Sequence, residues 1–377
     1  MYEVLSPISA SLKDFAEALP KHSIGRSIGL HTEGVFPDLE GVDLAVITVS
    51  EGRGSLNEDE NIEFDTLRRN FYELFPGNWT KKIVDLGTIL AGATIEDTYF
   101  AVKLVTESLL KRKIIPIIIG GSQDLTYGMY RAYDTMEQTV NLVSIDNKID
   151  VVNDVDRPSE SFMTRIIMET PTNLNNFSTV GYQTYFNSQE ELDLVEKMYF
   201  EAYRLGEIVS NISISEPIFR DADLVSFDIN AIKSSDLGFF SKFYPNGFDG
   251  REVCSLVRYA GLSDRVSAFG LFNINNVSEK SLLITQILWY FVEGVNYRMN
   301  EYPYISKSTY LKYIVPLEEQ ELVFYKSDIS ERWWMEIGGV EGGVRQMLFP
   351  CSYEDYRQAL QQIVPERWWR ASKKMQA

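Results

Sequence analysis

Apolar residues along this chain cluster in two ways. Short, nearly uninterrupted apolar runs occur at Val42–Val49, Ile114–Ile119, Val140–Ile145 and Leu224–Ile229. Such runs, rich in β-branched residues and bounded by turn residues, predict strands buried on both faces. Pro116 falls near the start of its run, the one part of an interior strand that tolerates proline. Further strands are predicted at Lys82–Asp85, Phe177–Gln183 and Val266–Phe272. Between them, segments of helical period predict helices at Asn61–Leu74, Thr94–Lys113, Asp124–Met136, Arg251–Tyr259 and Lys280–Tyr297. Phe64, Leu67, Phe71 and Leu74 share a stripe in the first. Phe100, Leu104 and Leu110 are apolar positions in the second. Thr94 followed by Asp97 is a capping-box pattern, and Lys111, Arg112 and Lys113 suit the negative end of that helix.

This alternation predicts an α/β fold with a mostly parallel sheet covered on both faces. Ligand sites in such sheets lie at the carboxyl ends of strands. From residue 299 on, the character changes. Leu322–Tyr325 predicts an edge or hairpin strand, Ser352 with Asp355 caps a short helix before Pro365, and two tryptophan pairs stand at Trp333-Trp334 and Trp368-Trp369. The division expected is an N-terminal segment (1–40), an α/β domain (41–298) and a C-terminal extension (299–377) packed on it. The tryptophans are core residues or interface anchors.

Of 377 residues, 36 are Lys or Arg and 54 are Asp or Glu, a net charge of −18. That disfavours nucleic acid and anionic membranes as partners. No apolar run reaches the ~20 residues of a membrane span, and Met1–Pro7 has no leader pattern. Cys254 and Cys351 lack metal-ligand spacing and suit a reducing compartment, so a cytoplasmic location is expected. The chain has only two histidines, His22 and His31. A multi-histidine metal cluster within one chain is therefore excluded, and any histidine base must come from that early segment or another chain.

Three predicted strand ends carry candidate chemistry: Gly120-Gly121-Ser122-Gln123-Asp124, Asp146-Asn147-Lys148-Ile149-Asp150 and Ser226-Phe227-Asp228-Ile229-Asn230. In the last, Asp228 and Asn230 share a face. The glycine pair lacks the spacing and lysine of a P-loop, and no GxGxxG follows the first strand. In this order the segments resemble the arginase, agmatinase and formimidoylglutamase family, the ureohydrolases, with its GGDH, DAHxD and SxDxD signatures. The resemblance spans roughly residues 40–298, and GGSQDLTYG at 120–128 is similar to the family's GGDHSLTYG.

The resemblance implies a three-layer α-β-α fold with a central mostly parallel sheet. It also implies two Mn²⁺ ions that generate a hydroxide to attack a guanidinium or formimino carbon. Asp146, Asp150 and Asp228 match metal-ligand positions. Gln123 and Lys148 stand where the family has histidines, and Asn230 where it has an aspartate. Asn273 falls at an acidic substrate-site position, and Asn276 at a proline. Half of the six ligand positions are thus changed.

An ammonium at position 148 is expected to pair with Asp146, Asp150 or Asp228 and supply the charge of the missing metal. Those carboxylates keep it charged, which argues against a base or Schiff-base role. The leading expectation is a catalytically silent family member, a scaffold, regulatory or binding subunit with no cofactor. Its partner would be a second copy or another protein, with a small cationic compound as a further ligand. The alternative is a hydrolase of C–N bonds in linear amidines with an altered Mn²⁺ site, one ion or weakly bound, at Asp146, Asp150 and Asp228.

Overall fold

The all-apolar run Ile115–Gly120 lies in the interior of a nine-stranded parallel sheet, as its pattern requires. The computed structural model describes residues 2–55, 62–136, 138–152, 157–238, 243–274, 282–301, 303, 308–318, 320–338 and 347–376. The main-sheet strands are β1 (Gly29–Leu30), β2 (Leu44–Ser50), β3 (Ile83–Leu90), β4 (Ile115–Gly120), β5 (Val140–Ile145), β6 (Leu174–Tyr182), β7 (Glu201–Arg204), β8 (Leu224–Asp228) and β9 (Ala268–Phe272). Their order is β1-β3-β2-β4-β9-β8-β5-β6-β7, with every neighbouring pair parallel.

Alternation along β4 makes the layers. Ile117 and Ile119 enter one core, with the helices Asp65–Glu73, Gly250–Leu262 and Leu282–Asn296. Ile118 points into the other, with the helices Ile95–Leu110, Leu125–Arg131 and Pro158–Met168. Helices on both faces of one sheet form three layers. Pro116 sits opposite Ala45 of β2, one residue before pairing with β9 begins at Ile117.

Two helix predictions need correction. The helix after Thr94 runs from Ile95 to Leu110 and opens with the full capping box. Phe100, however, is 66% exposed. The buried face is Thr98, Tyr99, Val102, Val105 and Leu109. Thr98 and Tyr99 can turn inward because their hydroxyls donate to Glu51 and Asp124. The predicted helix 124–136 is α-helical only over Leu125–Arg131 and tightens into a 3₁₀ turn to Thr135. The start of the 61–74 prediction, residues 280 and 281, and Asn276 lie outside the described residues.

Beyond the sheet, β10 (Tyr310–Pro316), β11 (Glu321–Ser327), β12 (Trp333–Ile337) and β13 (Met347–Cys351) form an antiparallel sheet in sequence order. The run at 322–325 is therefore a hairpin strand flanked on both sides. Trp333 and Trp334 are buried on opposite faces of this sheet. Trp368 donates its indole N–H to the Glu336 carbonyl, while Trp369 is partly exposed. Ser352 caps the helix Tyr353–Leu360 with Asp355. The terminal helix Glu366–Gln376 lies against β7, the outer strand of the main sheet. Arg367 donates to Glu201 and to the Pro350 carbonyl, and Arg370 to the Phe200 carbonyl. Among the described residues no helix is long and apolar enough to cross a membrane.

Candidate functional site

Strands β4, β9, β8 and β5 are consecutive in the sheet, so their carboxyl ends form one row. Gln123 follows β4, Asn273 follows β9, Asp228 ends β8 and Asp146 follows β5. The register places Ile145 beside Phe227 and Asp228 beside Phe272, which sets Asp146, Asp228 and Asn273 side by side. Asp150 and Asn273 leave their strands in the left-handed conformation (φ 59° and 62°), which Asp and Asn tolerate better than most residues. The glycine pair serves close approach: a Cβ on Gly121 would stand 1.7 Å from the Glu51 carbonyl oxygen.

Gln123, Asp146, Asp150 and Asp228 are all buried. The Gln123 amide donates to the hydroxyls of Ser144 (3.2 Å) and Ser226 (3.3 Å). Asp146 Oδ1 accepts the backbone N–H of Lys148 at 2.9 Å, whereas no donor reaches Asp146 Oδ2. Both oxygens of Asp228 are occupied. Oδ1 accepts the Asn230 backbone N–H at 2.7 Å, and Oδ2 accepts the side-chain amides of Asn273 (2.8 Å) and Asn230 (3.3 Å). Asn273 Oδ1 has no donor.

The electrostatics follow. Burial pushes Asp146 up to about 6, with the Lys148 backbone N–H opposing it. Burial and then the Asp146 charge push Asp228 up to about 8. The same two causes hold Asp150 well above the usual carboxylate range. Buried like charges move toward neutrality when no cation lies among them.

The expected pairing of Lys148 with these aspartates needs correction. Its ammonium reaches Glu160 Oε1 at 2.7 Å, on the helix Pro158–Met168. There the lysine side chain stays 25% exposed, so the amine keeps part of its hydration, a smaller cost than entering the buried cluster. Glu160 holds the Lys148 pKa above its ordinary value against burial, and Asp150 adds to this from farther off. To the aspartates the lysine gives its backbone N–H and, from farther off, a charge that lowers Asp146 and Asp150.

Sequence reasoning missed Glu160 and Asn187. Asn187 Oδ1 accepts the Ile149 N–H at 2.8 Å, and its amide donates to the Asn147 carbonyl, fixing the loop between the two aspartates. A helix start was readable at Pro158, with Glu160 in its first turn. Nothing local marked Asn187. The histidines stand elsewhere: His31 Nδ1 lies 2.9 Å from the Leu86 carbonyl, and His22 is exposed on a turn.

This donor set does not fit a pair of dications. The row of strand ends offers three carboxylates and no imidazole, and N–H groups already engage both oxygens of Asp228. Among the described residues no three His, Cys, Asp or Glu side chains are arranged as metal ligands.

The arginase family model matches residues 59–289, more than half of the chain. The chain belongs to the arginase family. A formimidoylglutamase of Lysinibacillus sphaericus (strain C3-41) is 24% identical over 151 residues, 38% of this chain and 46% of that protein. The chain thus spans about half the length of the curated relative it matches. Among solved structures, the Mn²⁺ form of Trypanosoma cruzi formiminoglutamase is similar with a TM-score of 0.63 at 18% identity, covering 73% of this chain and 99% of that one. Formimidoylglutamase from Bacillus subtilis gives 0.62 at 17% identity, covering 70% and 91%. Agmatine ureohydrolase of Thermoplasma volcanium gives 0.58 at 15%, covering 75% and 98%. At these identities the structural likeness establishes the fold of this arginase-family chain.

Proposed function

We propose that this arginase-family protein is catalytically silent and serves as a scaffold, regulatory or binding subunit. The observation that carries this reading is that both oxygens of Asp228 accept N–H donors from Asn230 and Asn273, three bonds in all. A metal-held hydroxide requires anionic oxygens free to face the ions. Here one of three surviving carboxylates is turned to N–H donors, and the two imidazole positions hold Gln123 and Lys148. The partner is a second copy or another protein, with a small cationic compound as a further ligand. Two buried free thiols, Cys254 and Cys351, suit a cytoplasmic setting.

One observation favours a second reading, a hydrolase of C–N bonds in linear amidines with a single ion at Asp146, Asp150 and Asp228. Asp146 Oδ2 is a buried carboxylate oxygen with no donor, and a cation there would relieve the crowding of negative charge. Elemental analysis of dialysed protein, with assays of arginine, agmatine and formiminoglutamate in added Mn²⁺, separates the two readings. Silence predicts no retained Mn²⁺ and no urea or formamide. Chelator-sensitive turnover with retained metal would establish the hydrolase.

A further inference from the structure

A cavity of about 110 Å³, away from the row of strand ends, is lined by the terminal helix Glu366–Gln376, the start of β6 and β13. Ile337, Met347, Phe349 and Met375 make its wall largely apolar, and Met347, 45% exposed, marks its solvent side. Lys374 lines it as well and is half-buried. The Lys374 ammonium lies over the Phe200 ring at 4.6 Å. It donates to Asn176 Oδ1 and, at 3.4 Å, to the Asn175 carbonyl.

These partners are a ring and two amide oxygens, none of them an anion. The carboxylate that lines the cavity is engaged by other donors. Glu201 accepts from Arg367 Nε at 3.0 Å, from the Tyr203 hydroxyl at 2.6 Å and from the Asn176 amide at 3.3 Å. Lys81, Lys103 and Lys148 are held differently, each paired with a carboxylate at 3.0, 3.1 and 2.7 Å. An ammonium that loses hydration without an ion-pair partner shifts toward the neutral amine. Burial lowers the Lys374 pKa to about 8. The charges of Glu201 and Asp221 pull it up again, and Arg370 adds to the lowering. A desolvated lysine that is partly neutral is a nucleophile.

We infer that Lys374 is a site of acylation by a small activated acyl group, an acyl phosphate or a thioester, with the cavity receiving the acyl chain. The amine nitrogen attacks the acyl carbon. A C–N bond forms as the C–O bond to phosphate or the C–S bond to the thiol breaks, and the amine proton passes to the leaving group or to water. The product is an uncharged amide. It removes the desolvated charge and keeps one N–H for Asn176 Oδ1. One water occupies about 30 Å³ of liquid, so the cavity matches a short aliphatic chain and excludes a long one.

The full chain is incubated with acetyl phosphate and, separately, with acetyl-coenzyme A, and each lysine is followed by peptide mass spectrometry from about pH 6 to about pH 10. Lys374 is expected to react about tenfold faster at neutral pH than its neighbour Lys373 or the exposed Lys13. Its rate should be half-maximal near pH 8. The faster donor assigns the source, acyl phosphate or thioester. Met347→Trp fills the cavity and should slow Lys374 while leaving Lys373 unchanged. In urea-unfolded chain the preference for Lys374 should vanish. Labelling of Lys374 no faster than that of Lys373 in the folded chain would overturn the proposal, as would the same preference in urea or an undiminished Lys374 rate in folded Met347→Trp. If that variant does not fold, the native and urea-unfolded rates decide.

Discussion

Two buried polar centres in this molecule handle charge in opposite ways. Beside β2 and β3, Arg68 donates from Nε to Asp85 Oδ2 at 2.8 Å and from Nη2 to Oδ1 at 3.3 Å. The Tyr72 hydroxyl and the Gly87 N–H also donate to Asp85, and Arg68 Nη2 reaches the Gly87 carbonyl. Cation and anion are enclosed together and each is bonded. At the ends of β5 and β8, three carboxylates share a buried space while the nearest ammonium faces Glu160 instead. The first centre is complete within the chain. In the second, the carboxylates have N–H donors and one another as neighbours, and burial with mutual repulsion raises their pKa values. Burial alone therefore does not mark a site as structural; the balance of partners does.

The largest effect should come from breaking the complete centre. Arg68→Met leaves Asp85 enclosed without a cation and should cost about 3–5 kcal/mol in urea unfolding. A loss below 1 kcal/mol would mean that water reaches Asp85 and that the contrast is overstated.

Asp221 stands between the extremes. Arg265 Nη1 reaches its carboxylate at 3.0 Å and Asn141 donates at 2.9 Å, yet burial pushes its pKa up to about 6 in spite of Arg265. The folded chain then holds a proton that the unfolded chain releases near pH 4. Stability should fall by up to about 3 kcal/mol as pH rises from about 4 to about 6. Asp221→Asn should flatten this part of the pH profile, measured by calorimetry; an unchanged slope would reassign it.

Asp146→Asn should have the opposite sign to Arg68→Met. It removes one of three crowded charges and places an amide near Asp150, so the metal-free chain should gain about 1 kcal/mol at pH 7. A loss of stability that appears only with added Mn²⁺ would point to an occupied cation site. Smallest of all, Lys148→Met should cost under about 1 kcal/mol, because its partner is a half-exposed glutamate. A loss of several kcal/mol would make this lysine the missing counter-charge after all.

The sheet was readable because its interior strands are mostly apolar, and the capping boxes at Thr94 and Ser352 fixed two helix starts. Phe100 is an apolar position of that helix that faces solvent, a distinction periodicity does not make because it weighs hydrophobicity alone. The true inner face carries Thr98 and Tyr99, whose hydroxyls find acceptors only after β2 and β4 come together. The strand-end positions of Gln123, Asp146, Asp228 and Asn273 were visible in the motifs. Their convergence depended on the order β4-β9-β8-β5, which follows from long-range pairing. The direction of Lys148 was set by Glu160, on a helix that no motif joined to the loop.

The terminal helix has a consequence for how copies of this protein behave at high concentration. β7 ends the row of strands, and an uncovered outer strand invites hydrogen bonding from other molecules. Arg367 and Arg370 fasten that helix to its start, at the Glu201 carboxylate and the Phe200 carbonyl. A shortened chain lacking these turns would leave Glu201 enclosed without its cation, and loss of the fold and self-association would come together.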